Sequence, residues 1–331
     1  MIAFIACSNG LGHIKRIIYI CNYLFYAYEL KSTIYAPKLK FDHISKILLN
    51  QNEIHYLPEL VDFDTETSIS NWENYTHKNW LSKIQNINEF KLVVSDNLLE
   101  ILKLRPDAII TASFFWNQIV NNDKLNRETE ELLIKYKPVV IGNKYLTLKT
   151  SIQNFYGIGF CISIKYNNSI AIKKNLLISG GKDGSDDDFI CEVLDYLVLN
   201  KPKNIENIFL EPRIFKKTLP KYFKKADFTN KMYESVLISV IRPGLGTITD
   251  CLNHGIYILS STNFKNIELS QNALNLKKLG IGDIFNNMFQ LEKLIVDFQV
   301  EKTSFIRKLS QIDFSGTEQL GDLINKFYNE K

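Results

Sequence analysis

The residues best suited to chemistry lie in two glycine-rich turns, Gly10-Leu-Gly-His-Ile-Lys-Arg16 and Arg242-Pro-Gly-Leu-Gly-Thr-Ile-Thr-Asp250. Each follows an apolar run and opens an amphipathic segment, so each reads as the turn between a buried strand and a helix. In the second turn, Leu245, Gly246 and Thr247 begin the helix, and their amide N–H groups have no carbonyl partner inside it. With Gly244 they form a site that favours an anion, most often a phosphate. Asp250 lies one helical turn further on, where a carboxylate can reach the ribose hydroxyls of a nucleotide held at the turn. The same pattern also suits a tight helix–sheet junction in which Asp250 merely offsets the dipole. In the first turn, Gly10 and Gly12 lead to His13. Such a turn lies at the carboxyl ends of the strands of a doubly wound sheet, where ligands bind. An imidazole there can serve as a general base. A helix-capping or core histidine is the other reading.

Two further stretches carry charge beside glycine or at a strand end. In Ser179-Gly-Gly-Lys-Asp-Gly184, Gly180 and Gly181 form a third turn, and Lys182 either neutralises a phosphate or is a solvated turn lysine. Asp96 closes the apolar run Lys91–Ser95, which points it to the ligand side; it also suits a helix N-cap for residues 97–104. Asp186-Asp187-Asp188 reads as the N-cap and first-turn charges of a helix rather than as a metal motif. No other cluster has metal-ligand spacing, so neither a metal nor a cofactor is expected. Gly10-x-Gly12-x-x-Lys15 lacks the third glycine of a dinucleotide fingerprint.

The elements that must position these residues alternate. Strands are expected at Ile2–Cys7, Ser32–Ala36, Ile54–Leu57, Phe90–Val94, Asp107–Thr111 and Val139–Gly142. Helices are expected at Ile14–Tyr28, Phe41–Asn50 and Glu128–Tyr136. A second alternation runs through strands Leu176–Ser179, Asn207–Leu210, Ala226–Thr229, Val236–Ile241 and Tyr257–Ser260, with helices Phe189–Leu199, Thr247–His254 and Glu268–Lys278. This predicts an α/β protein of two doubly wound domains. The expected boundaries are 1–165, 166–314 and a closing helix in 315–331 that packs back on the first domain, with an irregular linker at 150–172. The aromatic residues Trp72, Tyr75, Trp80 and Phe114-Phe115-Trp116 suit either an acceptor groove or a core.

The chain has 331 residues, 45% of them apolar and 23% charged, a composition that fits a globular protein. Its net charge of +4 comes from scattered lysines, which excludes a nucleic-acid footprint and permits weak attraction to an anionic membrane surface. The five cysteines are isolated, which suits a reducing cytoplasm. Ile2–Cys7 is too short, and lacks the basic leader, for a signal peptide.

Taken together, the His13 turn, the Arg242–Asp250 turn and Glu268-Leu-Ser-Gln-Asn-Ala273 resemble the GT-B glycosyltransferases. The branch they are similar to includes the bacterial UDP-N-acetylglucosamine transferase that makes peptidoglycan lipid II. The resemblance implies two Rossmann-like domains facing across a cleft. It implies an inverting, metal-independent transfer from a nucleoside-diphosphate sugar, with a lean to UDP, onto a sugar or lipid-linked hydroxyl acceptor, in glycan or glycolipid assembly. The setting is the cytoplasm, with possible peripheral contact at the inner membrane face. By the same resemblance His13 is the base, and Asp96 is the acid that pairs with it. Gly10, Gly12 and Arg242 belong to the nucleotide-sugar site; Gly244, Leu245, Gly246 and Thr247 bind the diphosphate, which Gly180, Gly181 and Lys182 also approach. Asp250 binds ribose, and Glu268, Gln271 and Asn272 lie toward the donor sugar. Leu269 stands where that branch has glutamine, which leaves the sugar open. Two rivals share the fold class: a nucleotide-sugar hydrolase and a non-catalytic nucleotide-sugar-binding subunit.

Overall fold

The computed structural model describes residues 1–148, 152–165, 173–181 and 187–331. The chain divides into two units: Met1–Ile164 with Phe314–Lys331, and Lys165–Asp313.

Among the described residues, the first unit is built on a parallel sheet of seven strands. These are β1 (Ile2–Ile5), β2 (Ser32–Ala36), β3 (Glu59–Asp62), β4 (Leu92–Asp96), β5 (Ile109–Thr111), β6 (Val140–Asn143) and β7 (Phe155–Ile158). Their spatial order is β3-β2-β1-β4-β5-β6-β7. The order therefore reverses between β1 and β4, whose registers pair Ile2 with Leu92 and Ile5 with Ser95. Helices α1 (Leu11–Tyr28), α2 (Lys38–Asn50), α3 (Ile69–Glu73) and α4 (Asp123–Tyr136) accompany the sheet. Side chains alternate between the two faces of a strand. Ile2 and Phe4 thus enter one core with Ile17 and Leu24, while Ala3 and Ile5 enter another with Trp72 and Trp80. Burial on both faces is why these strands read as unbroken apolar runs.

The second unit repeats the plan with β8 (Asn175–Ser179), β9 (Ile208–Leu210), β10 (Phe223–Lys225), β11 (Val236–Ile241), β12 (Tyr257–Ser260) and β13 (Gly282–Ile284). The spatial order is β10-β9-β8-β11-β12-β13, all parallel, and it reverses between β8 and β11. Its helices are α5 (Asp187–Leu199), α6 (Asn230–Ser235), α7 (Leu245–Asn253), α8 (Ile267–Leu279) and α9 (Met288–Leu309). The last helix, α10 (Gly316–Asn329), belongs to the first unit, where Leu320 and Ile324 join the core beside α1. Gly321 allows this approach: a Cβ there would come within 2.3 Å of Tyr23 Cδ1. The Tyr23 hydroxyl donates to Asp322 at 2.7 Å.

Three local expectations differ from the structure. Residues 54–57 do not form the third strand, because Asn22 Oδ1 accepts the His55 and Tyr56 amides at 3.0 and 3.1 Å. Pairing with β2 starts instead at Glu59. The stretch expected to be linker contains β7, an edge strand mostly exposed in Phe155–Gly157. The strand expected at 226–229 lies earlier, as β10. Thr229 is the N-cap of α6, its hydroxyl accepting from the Met232 amide at 3.3 Å.

Candidate functional site

In the first unit, the turn after β1 is fixed before any ligand-facing group is placed. Ser8 and Thr65 exchange backbone-to-hydroxyl bonds, each at 3.0 Å, and Lys40 Nζ donates to the Ser8 carbonyl. Gly10 then takes φ +101, a backbone region that favours glycine, and starts α1 without a side-chain cap. His13 sits in the first turn of that helix. Its Nδ1 lies 2.6 Å from Asp96 Oδ2, and its side chain is 20% exposed.

Asp96 ends β4, at the point where the strand order reverses, which is where ligands gather in open α/β sheets. Its carboxylate is 1% exposed. Oδ1 accepts from Arg16 and, at 2.8 Å, from the Thr111 hydroxyl. Burial alone would raise this carboxyl. The Arg16 guanidinium, then His13, outweigh burial and hold it well below the usual carboxylate range. An ionised carboxylate only accepts, so in a neutral imidazole the shared proton belongs to Nδ1, and Nε2 keeps its lone pair. This is the geometry of an oriented base. Asp96 does not cap a helix: the following turn, Leu99–Lys103, is 3-10, with Leu98 at its N-cap position.

In the second unit, β8 and β11 flank the other reversal point, and the two remaining glycine turns follow them. The Arg242 amide donates to the Ser179 carbonyl at 3.0 Å, joining the turns, and the Arg242 side chain packs by Gly181. Gly244 is the N-cap of α7 and provides no side-chain cap to Leu245, Gly246 and Thr247. Asp250 is half-buried on the same helix, one turn along. Asn272 is 1% exposed and donates to the Pro243 carbonyl at 3.0 Å, so it supports the Arg242–Gly246 turn from beneath. Gln271 donates to Asn275 at 3.0 Å, Glu268 is half-buried at the start of α8, and Leu269 is 2% exposed in the core.

Gly180 and Gly181 are engaged internally. Their amides donate to Glu211 Oε2 at 2.9 and 3.1 Å, together with the Ser179 hydroxyl at 3.0 Å. Arg213 donates to the other oxygen at 2.8 Å. Lys182 and Asp186 lie outside the described residues. Asp187 and Asp188 open α5. Among the described residues, no group of three or more His, Cys, Asp or Glu has metal-binding geometry. None of the described helices is long and apolar enough to cross a membrane.

The sequence reading did not single out Arg16, Thr111 or Glu211. Arg16 had a local signal, since a residue three positions after His13 shares its helix face. Thr111 and Glu211 are brought in only by strand pairing. The aromatic group Trp72, Trp80, Phe114, Phe115 and Trp116 is buried in the second core of the first unit.

No protein-family model matches the sequence, and no curated protein matches it. Solved structures do match it along its length. The glycosyltransferase of kitacinnamycin is 13% identical with a TM-score of 0.65, covering 99% of this chain and 98% of that one. A calicheamicin glycosyltransferase is 12% identical with a TM-score of 0.63, covering 99% and 98%. A spinosyn rhamnosyltransferase complexed with thymidine diphosphate is 13% identical with a TM-score of 0.61, covering 100% and 96%. At these identities the likeness is one of fold: the chain has the GT-B architecture of two Rossmann-like domains.

Proposed function

We propose that this protein transfers a sugar from a nucleoside diphosphate to a hydroxyl acceptor, with inversion at the anomeric carbon and without a metal ion. The observation that carries the proposal is the 2.6 Å contact between His13 and a buried, arginine-held Asp96 at the reversal point of a GT-B sheet. In the proposed reaction, Nε2 of His13 takes the proton of the acceptor hydroxyl as its oxygen bonds to the anomeric carbon. The bond from that carbon to the diphosphate oxygen breaks on the opposite face. Asp96 stabilises the imidazolium, as the acid of a His–Asp pair does. The uncapped start of α7 receives the charge of the departing diphosphate. Asp250 holds the ribose, with Glu268 and Gln271 toward the sugar.

The motif order supports UDP as the nucleotide and kinship with the lipid II branch. The thymidine diphosphate held by the spinosyn enzyme makes TDP the second candidate. Glycan or glycolipid assembly is the proposed setting, and the +4 charge is compatible with a lipid-linked acceptor at an anionic surface. A thermal-shift screen over UDP, TDP and their sugars identifies the donor, because a ligand of the folded state raises its melting point. With that donor, His13→Ala should lower turnover about 10²–10⁴-fold while nucleotide affinity stays near the parent's. Near-normal turnover in a folded variant removes His13 from the mechanism. Steady release of free sugar without acceptor, at the rate of turnover, favours the hydrolase instead.

A further inference from the structure

The positive charge of the chain, expected to be scattered, gathers along one edge of the second unit. Residues 199–226 hold seven lysines and Arg213 against two carboxylates, Glu206 and Glu211. That is a net +6 in a chain whose total is +4, so all the other residues together sum to −2. Both carboxylates already have partners: Glu206 pairs with Lys174 at 2.9 Å, and Glu211 with Arg213 at 2.8 Å. None of the seven lysines pairs with a carboxylate among the described residues, and all seven are exposed.

The strand β10 is the outermost of its sheet, and Lys224 and Lys225 are its two exposed residues. Lysines on an edge strand deter pairing with a second sheet. That accounts for these two and not for the other five, which lie off the strand. Lys216, Lys217 and Lys221 lie on the crossover from β9 to β10, and Lys201 and Lys203 precede β9. Tyr222 joins the two stretches. Its hydroxyl donates to the Leu197 and Val198 carbonyls at 3.1 and 2.9 Å, and Lys201 Nζ lies over its ring, 5.1 Å from the centroid. Beside them Leu199 ends α5 with 83% of its surface exposed, and Phe215 and Leu219 are half-buried on the crossover.

A leucine left in water among unpaired ammonium groups selects the partner's chemistry. At the boundary of a bilayer an apolar tip enters the acyl region while lysines stay at the level of the phosphates. Lysine is a strongly hydrated point charge and suits such a diffuse anionic surface. Arginine suits bidentate grip on single phosphates, and the one arginine here is engaged by Glu211. Single-stranded nucleic acid would look for open aromatic faces, whereas Lys201 lies over the Tyr222 ring. Leu199, Lys201 and Lys203 precede β9, and Lys221 precedes β10, so this part of the patch lies toward the amino ends of the parallel strands. The start of α7 follows β11, at the opposite end of the same sheet.

We propose that the lysine-lined edge of the second unit, with Leu199 at its apolar tip, is the surface by which this protein docks on an anionic lipid bilayer. This rests on the membrane setting given above and assigns it to particular residues. The test sediments full-length protein, without donor or acceptor, with vesicles of phosphatidylcholine alone or mixed with phosphatidylglycerol. Binding to the mixed vesicles only, weakening as salt is added, is expected. The variant Lys216→Gln, Lys217→Gln, Lys224→Gln, Lys225→Gln should bind about 10²–10³-fold more weakly, at about fivefold per lysine. A control, Lys31→Gln, Lys46→Gln, Lys124→Gln, Lys135→Gln, removes the same charge from exposed lysines of the first unit and should bind nearly as the parent does. Leu199→Ser should weaken binding about tenfold and keep the preference for anionic lipid. Melting curves and UDP affinity should stay near the parent's in all three. No binding to mixed vesicles, or an equal loss in the control, overturns the proposal. Tighter binding to polyuridylate than to vesicles overturns the lipid partner, as does a Leu199→Ser variant that binds like the parent. Failure to bind any nucleoside diphosphate would strike the transferase reading instead, and the sedimentation is read independently of it.

Discussion

Replacing Glu100 by glutamine should stabilise the first unit at alkaline pH and not at acid pH. Glu100 is 2% exposed, and Trp80 Nε1 donates to it at 3.0 Å. Burial, only partly offset by hydrogen bonds to its own backbone and to Trp80, pushes its carboxyl from 4.5 to about 7. The folded state therefore favours the protonated form. The associated stability is whole below the unfolded pKa and is lost as pH rises through about 7. A displacement of this size corresponds to about 3 kcal/mol. The amide of the glutamine variant keeps an acceptor for Trp80 and cannot ionise. His77 acts in the opposite sense: burial lowers it from 6.5 to about 4, so its contribution is lost as pH falls below 6.5. Between 4.5 and 6.5 the two slopes oppose each other, and the parent alone would show little. The informative quantity is the difference between variant and parent. Urea unfolding followed by tryptophan emission reports the first unit, which holds all three tryptophans. Between about pH 5 and pH 8, Glu100→Gln should gain about 2–3 kcal/mol over the parent. Parallel profiles for the two proteins would refute the buried, protonated carboxyl.

Asp96→Asn should lower turnover by about 10²–10⁴-fold, because the imidazole loses the group that fixes its tautomer and stabilises its charge. It should also destabilise the first unit by about 3–5 kcal/mol in urea unfolding, since Arg16 is left in a mostly buried place without its carboxylate. Asp250→Ala should weaken nucleotide-diphosphate binding by about 1.5–3 kcal/mol in calorimetry, and unchanged UDP affinity would dismiss it as the ribose acid. Activity should survive EDTA treatment; loss with EDTA and recovery with manganese or magnesium would return Asp186–Asp188 to consideration.

What the sequence made legible follows from burial. Strands such as β1, β4, β8 and β11 are covered on both faces and so appear as continuous apolar runs ending in glycine or a charge. The His13 and Gly244 turns could be placed because each follows such a run. The edges were harder. The apolar run at 54–57 looks like a strand, yet Asn22 takes two of its amides. β7 carries exposed residues in a stretch without alternation. From the residues alone the partner of His13 was visible only as an acid at a strand end, and it was the family resemblance that paired Asp96 with it. Arg16 and Thr111 come to Asp96 through helix periodicity and the pairing of β4 with β5. The polar side of the aromatic core was hidden, because tryptophans in a core-like run signal apolar packing, and nothing in their spacing shows that the Trp72 and Trp116 indole N–H groups find no partner among the described residues.

The two reversal points show how one plan yields different chemistry. At each, a buried carboxylate accepts from a hydroxyl and an arginine: Asp96 from Thr111 and Arg16, Glu211 from Ser179 and Arg213. The remaining bonds differ. Asp96 spends its other oxygen on an imidazole, a group that can take up and release a proton. Glu211 accepts the backbone amides of Gly180 and Gly181, which cannot. In the proposed reaction one carboxylate thereby orients a base, and the other fills a pair of amides that would otherwise suit a phosphate oxygen. An incoming diphosphate meets those amides already satisfied, and competing for them would mean displacing a carboxylate held by four donors. The start of α7 faces no such competitor from a side-chain cap. Within the second unit, the proposed place for the leaving group therefore falls on Leu245, Gly246 and Thr247.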